Sequence, residues 1–283
     1  MDLPFELLNV FSIAGDPFSG NPLCVFTDAA GLTDAEMQAW ARQFNLSETT
    51  FVTSRNGTDA DVRIFTPDHE MPFAGHPTLG TAEVVSGLHG AAPLVHLELP
   101  AGRIPVVRTD DGWQLAAPAA SLRAVTASKA ELAGALGIDG GALVRADAAW
   151  VDAGVEQLVV RLDHADAVRA CDPHAHAMAE HMTSPGRPPH VYVWAWTGPK
   201  TIEARLFFTS GQAVLEDPAT GSACANLGGW MVAQGARDVS VEISQGTAVG
   251  RPSRLQLEID ADGGVHVGGR VERVGRGSAA AGA

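Results

Sequence analysis

Two short segments carry the residue types best able to hold a small charged group, and they are copies of one another. The first opens on Arg63-Ile64-Phe65 and turns at Thr66-Pro67-Asp68. It reaches Glu70 and runs through Ala74-Gly75-His76 into an apolar stretch at Pro77. The second opens on Arg205-Leu206-Phe207-Phe208, reaches Glu216, and runs through Thr220-Gly221-Ser222 into small residues at Ala223. In both, an acid lies four positions before the residue that precedes the glycine. The arginines are 142 residues apart (63 to 205) and the glycines 146 (75 to 221), so the second copy has a longer loop. A self-match at half the chain length indicates duplication, and so two similar halves that face each other.

Each copy reads as strand, turn, helix. Arg-Ile-Phe and Arg-Leu-Phe-Phe are β-type runs, and Pro77 sits where the first turn of a helix tolerates proline. The helix after His76 carries one charge, Glu83, and the helix from Ser222 to about Ala233 carries none. A helix without a polar face is buried inside its domain. Gly75-His76 and Gly221-Ser222 then stand at the helix N-termini, where free N–H groups and the helix dipole favour an anion. Two such ends facing each other make a cleft suited to a carboxylate. A single glycine more often serves local backbone packing; the matched recurrence favours a binding role.

Composition bounds the rest. The chain has 283 residues, enough for two domains of ordinary size. It is 46% hydrophobic, without an apolar run long enough to cross a bilayer. Met1-Asp2-Leu3-Pro4-Phe5-Glu6 lacks the basic region of a signal peptide, and a soluble cytoplasmic protein is expected. The net charge of −14, from 19 basic and 33 acidic residues, argues against a nucleic-acid partner. Cys24, Cys171 and Cys224 form no C-x-x-C, so neither a zinc site nor a disulfide framework is indicated. His174, His176, Glu180 and His181 lack a clean H-x-x-x-H pair and read as an exposed helix face, not metal ligands. No nucleotide-binding motif is present, and no cofactor is expected.

Further elements follow from local pattern. Thr33 with Glu36, and Ser128 with Glu131, are capping-box starts of helices ending near Asn45 and Leu136. Strands are expected at Phe5 to Phe11, Leu23 to Phe26, Leu94 to Leu99, Gly102 to Val107, Val191 to Trp196, Val239 to Ile243 and Arg254 to Ile259. Ala116 to Ser128 is the best linker, dividing the chain into domains 1–118 and 119–283. The Gly/Ser/Ala tail 275–283 is expected to be disordered.

Several stretches together carry a resemblance. They are Phe18-Ser19-Gly20-Asn21-Pro22, Asn45-Leu46-Ser47-Glu48-Thr49-Thr50-Phe51-Val52, Arg63 to Ala82, Glu216 to Ala223, and Gln245-Gly246 with Gly250-Arg251-Pro252-Ser253. In order and spacing, from about residue 5 to 270, the chain resembles the phenazine-biosynthesis PhzF-like isomerases. The resemblance implies an α+β fold of the diaminopimelate-epimerase type. That fold has two similar domains, each a curved, mostly antiparallel sheet around a central helix, with the active site in the cleft between them. It implies a cofactor-independent isomerase that moves a proton on a small cyclic amino acid, trans-2,3-dihydro-3-hydroxyanthranilate, and commonly a homodimer. The family's acid/base glutamate falls on Glu48, its cleft histidine on His76, its aspartate on Asp217 and its serine on Ser222. With Gly75 and Gly221 these make the candidate site.

The chemistry suits those types. A carboxylate in an apolar cleft is raised toward neutrality, so one group can take a proton and return it elsewhere. Ser222 also reads as a simple helix cap. Two rivals stay open. A racemase or epimerase of the same fold uses two thiol bases, but Ala74 and Thr220 occupy those places. A carboxylate-binding protein without turnover is the other.

Overall fold

The computed structural model describes residues 2–280. Two compact units divide the chain. One runs to Ala116 and takes the chain back from Gly268; the other is Ala117–Val267. Each is a mixed, mostly antiparallel sheet with one buried helix.

The first unit is built from β1 (Asp2–Val10), β2 (Asn21–Phe26), α1 (Asp34–Phe44), β3 (Thr49–Asn56), β4 (Asp59–Phe65), β5 (Glu70–Met71), α2 (Gly75–Leu88), β6 (Leu94–Leu99), β7 (Gly102–Thr109) and β8 (Gly112–Ala116). β2 runs parallel to β3 and β4 parallel to β6, because α1 and α2 are the crossovers; the other pairings here are antiparallel. Ten of the 14 residues of α2 are buried, which its all-round apolar and small surface requires. Its one carboxylate, Glu83, is satisfied by Trp113 Nε1 and Arg108 Nη2, each at 2.8 Å. α1 instead presents one face to an aromatic cluster in which Phe26 stacks on Phe51 at 4.9 Å and Phe65 meets Phe51 edge-on.

The second unit repeats this order with β9 (Ser121–Ala124), α3 (Lys129–Ala135), β10 (Leu143–Asp152), β11 (Glu156–Leu162), α4 (Ala165–Ala170), α5 (Ala175–His181), β12 (His190–Gly198), β13 (Thr201–Ser210), β14 (Ala213–Asp217), α6 (Gly221–Ala233), β15 (Val239–Gln245) and β16 (Ser253–Ile259). β11 runs parallel to β12 and β13 parallel to β15, as β2 to β3 and β4 to β6. The antiparallel pairs β12–β13, β13–β14 and β15–β16 match β3–β4, β4–β5 and β6–β7. α6 matches α2, with ten of 13 residues buried. The duplication read from one motif therefore extends through the strand order of both units.

The structure differs from the sequence reading at two places. The expected linker contains β9, which pairs antiparallel with β10 from Ser121↔Asp152 to Ala124↔Ala149. After β17 (Val265–Gly269), the chain forms β18 (Val271–Ala280), which pairs with β1 from Val10↔Val271 to Asp2↔Ala280. Gly275–Ala280 is thus strand, where disorder was expected, and the chain from Gly268 lies with the first unit instead of with 119–283. Small residues have little side-chain surface to bury, but backbone pairing along β1 orders them. Residues 281–283 of that tail lie outside the described residues.

Candidate functional site

In the first unit the structure brings Glu48 and His76 together. Glu48 ends the loop from α1 into β3, and His76 is the second residue of α2. His76 Nε2 stands 3.5 Å from Glu48 Oε2, with the two side chains 7% and 16% exposed. Their meeting is enforced by neighbours. Thr50, two residues beyond Glu48, bonds Thr81 of α2 hydroxyl to hydroxyl at 2.9 Å, so strand and helix are tied beside the pair. Burial pushes the His76 imidazole down to about 3, against the opposing effect of a hydrogen bond to the Pro22 carbonyl. Since Nε2 makes no hydrogen bond, Nδ1–H is the donor to Pro22. The imidazole is therefore neutral, and its bare Nε2 faces the glutamate.

The Phe18–Pro22 motif has a local reason. Ser19 Oγ donates to the Asp16 carbonyl at 2.6 Å and accepts from Ile13 N–H at 2.7 Å. Asn9 Nδ2 holds the Pro17 carbonyl at 2.7 Å. Gly20 has φ +80°, and a Cβ there would lie 2.6 Å from the Val10 carbonyl oxygen, so only glycine fits. The knot delivers the Pro22 carbonyl to His76.

In the second unit Asp217 ends β14, three residues before Thr220, whose hydroxyl donates to Asp217 Oδ2. Gln245 closes the turn: its Nε2 donates to the Asp217 carbonyl at 2.9 Å and to Thr220 Oγ1 at 3.0 Å. Gly246 (φ +80°) lies so close that a Cβ would sit 2.4 Å from the Pro218 carbonyl oxygen. This explains Gln245-Gly246 beside the Asp217 turn. Ser222 is the second residue of α6 and does not cap it, since Thr220 holds the N-cap position. Its Oγ accepts instead from Gln157 Nε2 at 3.0 Å.

The helix ends differ in kind. α1 and α3 both have complete capping boxes, through Thr33 with Glu36 and Ser128 with Glu131. α2 and α6, beginning at Gly75 and Gly221, have no side-chain cap at all. Their first-turn N–H groups suit a bound anion.

Other conspicuous residues do structural work. Arg63 bonds both oxygens of Glu70, at 2.7 and 2.6 Å, and reaches Asp34 at the start of α1. Arg205 pairs with Glu216 and donates to the Val168, Arg169 and Cys171 carbonyls at the end of α4. The acid of each repeat thus anchors an arginine that ties down a crossover helix. The three thiols are buried, and burial pushes Cys24 and Cys171 up to about 12 and Cys224 higher still, unsuited to thiolate bases. His164 caps α4 by accepting from Ala167 N–H. Among the described residues, no three His, Cys, Asp or Glu side chains gather as a metal would need, and no helix is long and apolar enough to cross a membrane.

Sequence reading missed Pro22 as the partner of His76 and Gln157 as the partner of Ser222. The first was signalled by the Phe18–Pro22 motif; the second had no local signal.

A family model described as phenazine biosynthesis-like protein (PhzC-PhzF) matches residues 9–281. An uncharacterized isomerase of Pasteurella multocida is 37% identical over 278 residues, covering 96% of this chain and 92% of its own. The trans-2,3-dihydro-3-hydroxyanthranilate isomerase of Pseudomonas fluorescens is 36% identical over 274 residues, covering 94% of each. A solved Bacillus anthracis protein of the PhzF family matches with a TM-score of 0.85 at 22% identity, covering 99% of this chain and 100% of that one. A hydroxyproline epimerase from Agrobacterium vitis has the same fold, with a TM-score of 0.63 at 13% identity, covering 98% of this chain and 92% of that one. The fold is thus of the diaminopimelate-epimerase-like class.

Proposed function

This chain belongs to the phenazine biosynthesis-like protein family and is an isomerase, and we propose that it moves a proton on a small cyclic amino or hydroxy carboxylic acid without a cofactor, Glu48 being the proton carrier. The observation that carries this reading is the facing of Glu48 Oε2 and the neutral Nε2 of His76 at 3.5 Å, both shielded from water. Nε2 can only accept, so an acceptor oxygen opposite it is at ease only with a proton in between. The pair is built to hold one proton, and the protonated glutamate is the form that returns it.

The reaction balances on that proton. Glu48 takes it from a ring C–H bond, whose electron pair spreads over the conjugated system toward the carboxylate. The proton then forms a new C–H bond at another ring carbon, and Glu48 is regenerated. Gly75 and Gly221 each open an uncapped helix whose first-turn N–H groups suit a carboxylate. Asp217 and Ser222 bind the substrate's amino or hydroxyl and carboxylate groups. The relative from Pseudomonas fluorescens makes trans-2,3-dihydro-3-hydroxyanthranilate the first substrate to try.

Glu48→Gln keeps the side chain's shape but cannot exchange a proton. It should retain ligand binding by calorimetry while turnover drops at least about 10²-fold. Wild type followed by NMR in heavy water should place deuterium at the reprotonated carbon or show direct internal transfer. Normal turnover by Glu48→Gln would refute this mechanism.

A further inference from the structure

We infer that Gln157 and Asn226 are positioning residues that fix Ser222 as a hydrogen-bond donor to an acceptor oxygen of the substrate. The ligand named here rests on the proposed function above; the polarity of the side chains does not.

Two backbone groups of fixed polarity set the orientation of the side chains. Asn226, on α6, is 1% exposed, and its amide is held at two main-chain positions. Ala153 N–H can only donate, and it meets Asn226 Oδ1 at 2.8 Å. The Val155 carbonyl can only accept, and it meets Asn226 Nδ2 at 2.9 Å. These two contacts leave one orientation for the Asn226 amide. Its second N–H then points at Gln157, also 2.9 Å away, so the Gln157 atom there must be the oxygen. Gln157 is 2% exposed and equally fixed. Its NH₂ faces the other way and donates to Ser222 Oγ at 3.0 Å.

A hydroxyl that receives a hydrogen bond from an amide cannot give its own proton back along the same line. The O–H of Ser222 is therefore released to donate elsewhere. Ser222 is half-buried, next to Gly221 at the uncapped end of α6. The backbone polarity of residues 153 and 155, in the turn between β10 and β11, is thus carried through two buried amides to the candidate site. The effect is to favour a carboxylate or other acceptor oxygen there and to disfavour a donor. A leucine at 226 or at 157 would fill the space without this directionality.

Gln157→Glu tests the inference with almost no change of shape. The carboxylate still accepts from Asn226 but now also accepts from Ser222, which removes the donor from the substrate. With trans-2,3-dihydro-3-hydroxyanthranilate, KM should rise at least about tenfold, the usual loss of a hydrogen bond to a charged group, while kcat changes less than about threefold. In a Ser222→Ala background the same change should alter KM less than about twofold. An equal KM increase in both backgrounds would mean that simple charge repulsion is responsible, and would overturn the inference. ¹⁵N NMR gives a readout independent of ligand. The Gln157 NH₂ protons should be protected from exchange and should shift in Ser222→Ala. Rapid exchange with no shift overturns the relay. Wild type that turns over the substrate with an unchanged KM in Gln157→Glu overturns the relay and leaves Glu48 its role. Wild type with no turnover overturns the proposed substrate, and the NMR result then decides the relay alone.

Discussion

His76 concentrates the physical tension of the candidate site in a single ring. Burial holds it neutral, with its titration lowered to about 3 from the ordinary 6.5. The unfolded chain binds that proton at a higher pH than the folded one does. Stability from this group is therefore fully present above about pH 6.5 and is lost as pH falls toward about 3. Within that window each pH unit costs up to about 1.4 kcal/mol. His76→Asn removes the titration, so between pH 6 and pH 4 the wild type should lose about one proton's worth of stability more than the variant does. Urea denaturation at several pH values measures this, and parallel curves would show that the imidazole is not held neutral. In sequence, His76 stood out only through its repeat partner and the family resemblance. Its depressed titration was not legible, because it follows from packing against residues far along the chain. Pro22, which fixes its tautomer, lies 54 positions away (22 to 76).

At the scale of elements, the duplicated motif turns out to combine two separate jobs. Its glycine opens an uncapped helix, and its arginine and acid hold a crossover helix to a strand pair. The two copies differ in burial. Arg205 and Glu216 have side chains 14% and 7% exposed, whereas Arg63 and Glu70 are 25% and 31% exposed. Removing one member of a buried pair strands a charge and usually costs about 3–5 kcal/mol, while a more exposed pair contributes about 1 kcal/mol or less. Arg205 also satisfies three carbonyls at the end of α4, which adds to its cost. Arg205→Ala should therefore lower stability well beyond Arg63→Ala in urea denaturation. The double change Arg205→Met with Glu216→Leu should recover much of the loss. Equal effects of the two alanine variants would rule out the buried clasp. Capping boxes, repeat glycines and alternating strands were readable because each depends on residues within a few positions. The Gln157–Asn226–Ser222 relay was not, since buried amides joined across 65 to 69 residues leave no local pattern.

At the scale of the whole molecule, the strand order shows how far the duplication goes and where it stops. Both units place a buried helix after a short antiparallel pair and return by a parallel strand. The first unit additionally takes the chain's last strand. β18 pairs along the full length of β1, with a shift in register between Leu7 and Leu8. Its composition concealed this, because Gly275, Gly277, Ser278, Ala279 and Ala280 resemble a flexible tail. Order comes instead from the backbone ladder and from contacts that favour small residues. A Cβ on Gly277 would lie 2.7 Å from the Phe5 ring. Arg273, the third residue of the strand, also pairs with Glu6. Without β18, β1 becomes an open edge over buried residues such as Leu3 and Leu8. A chain ending at Arg270 should therefore melt more than about 5 °C below the full chain and aggregate more readily, as read by thermal scanning and light scattering. If truncation at Arg270 leaves melting unchanged, β18 contributes nothing to the first unit and behaves as the tail that its composition suggests.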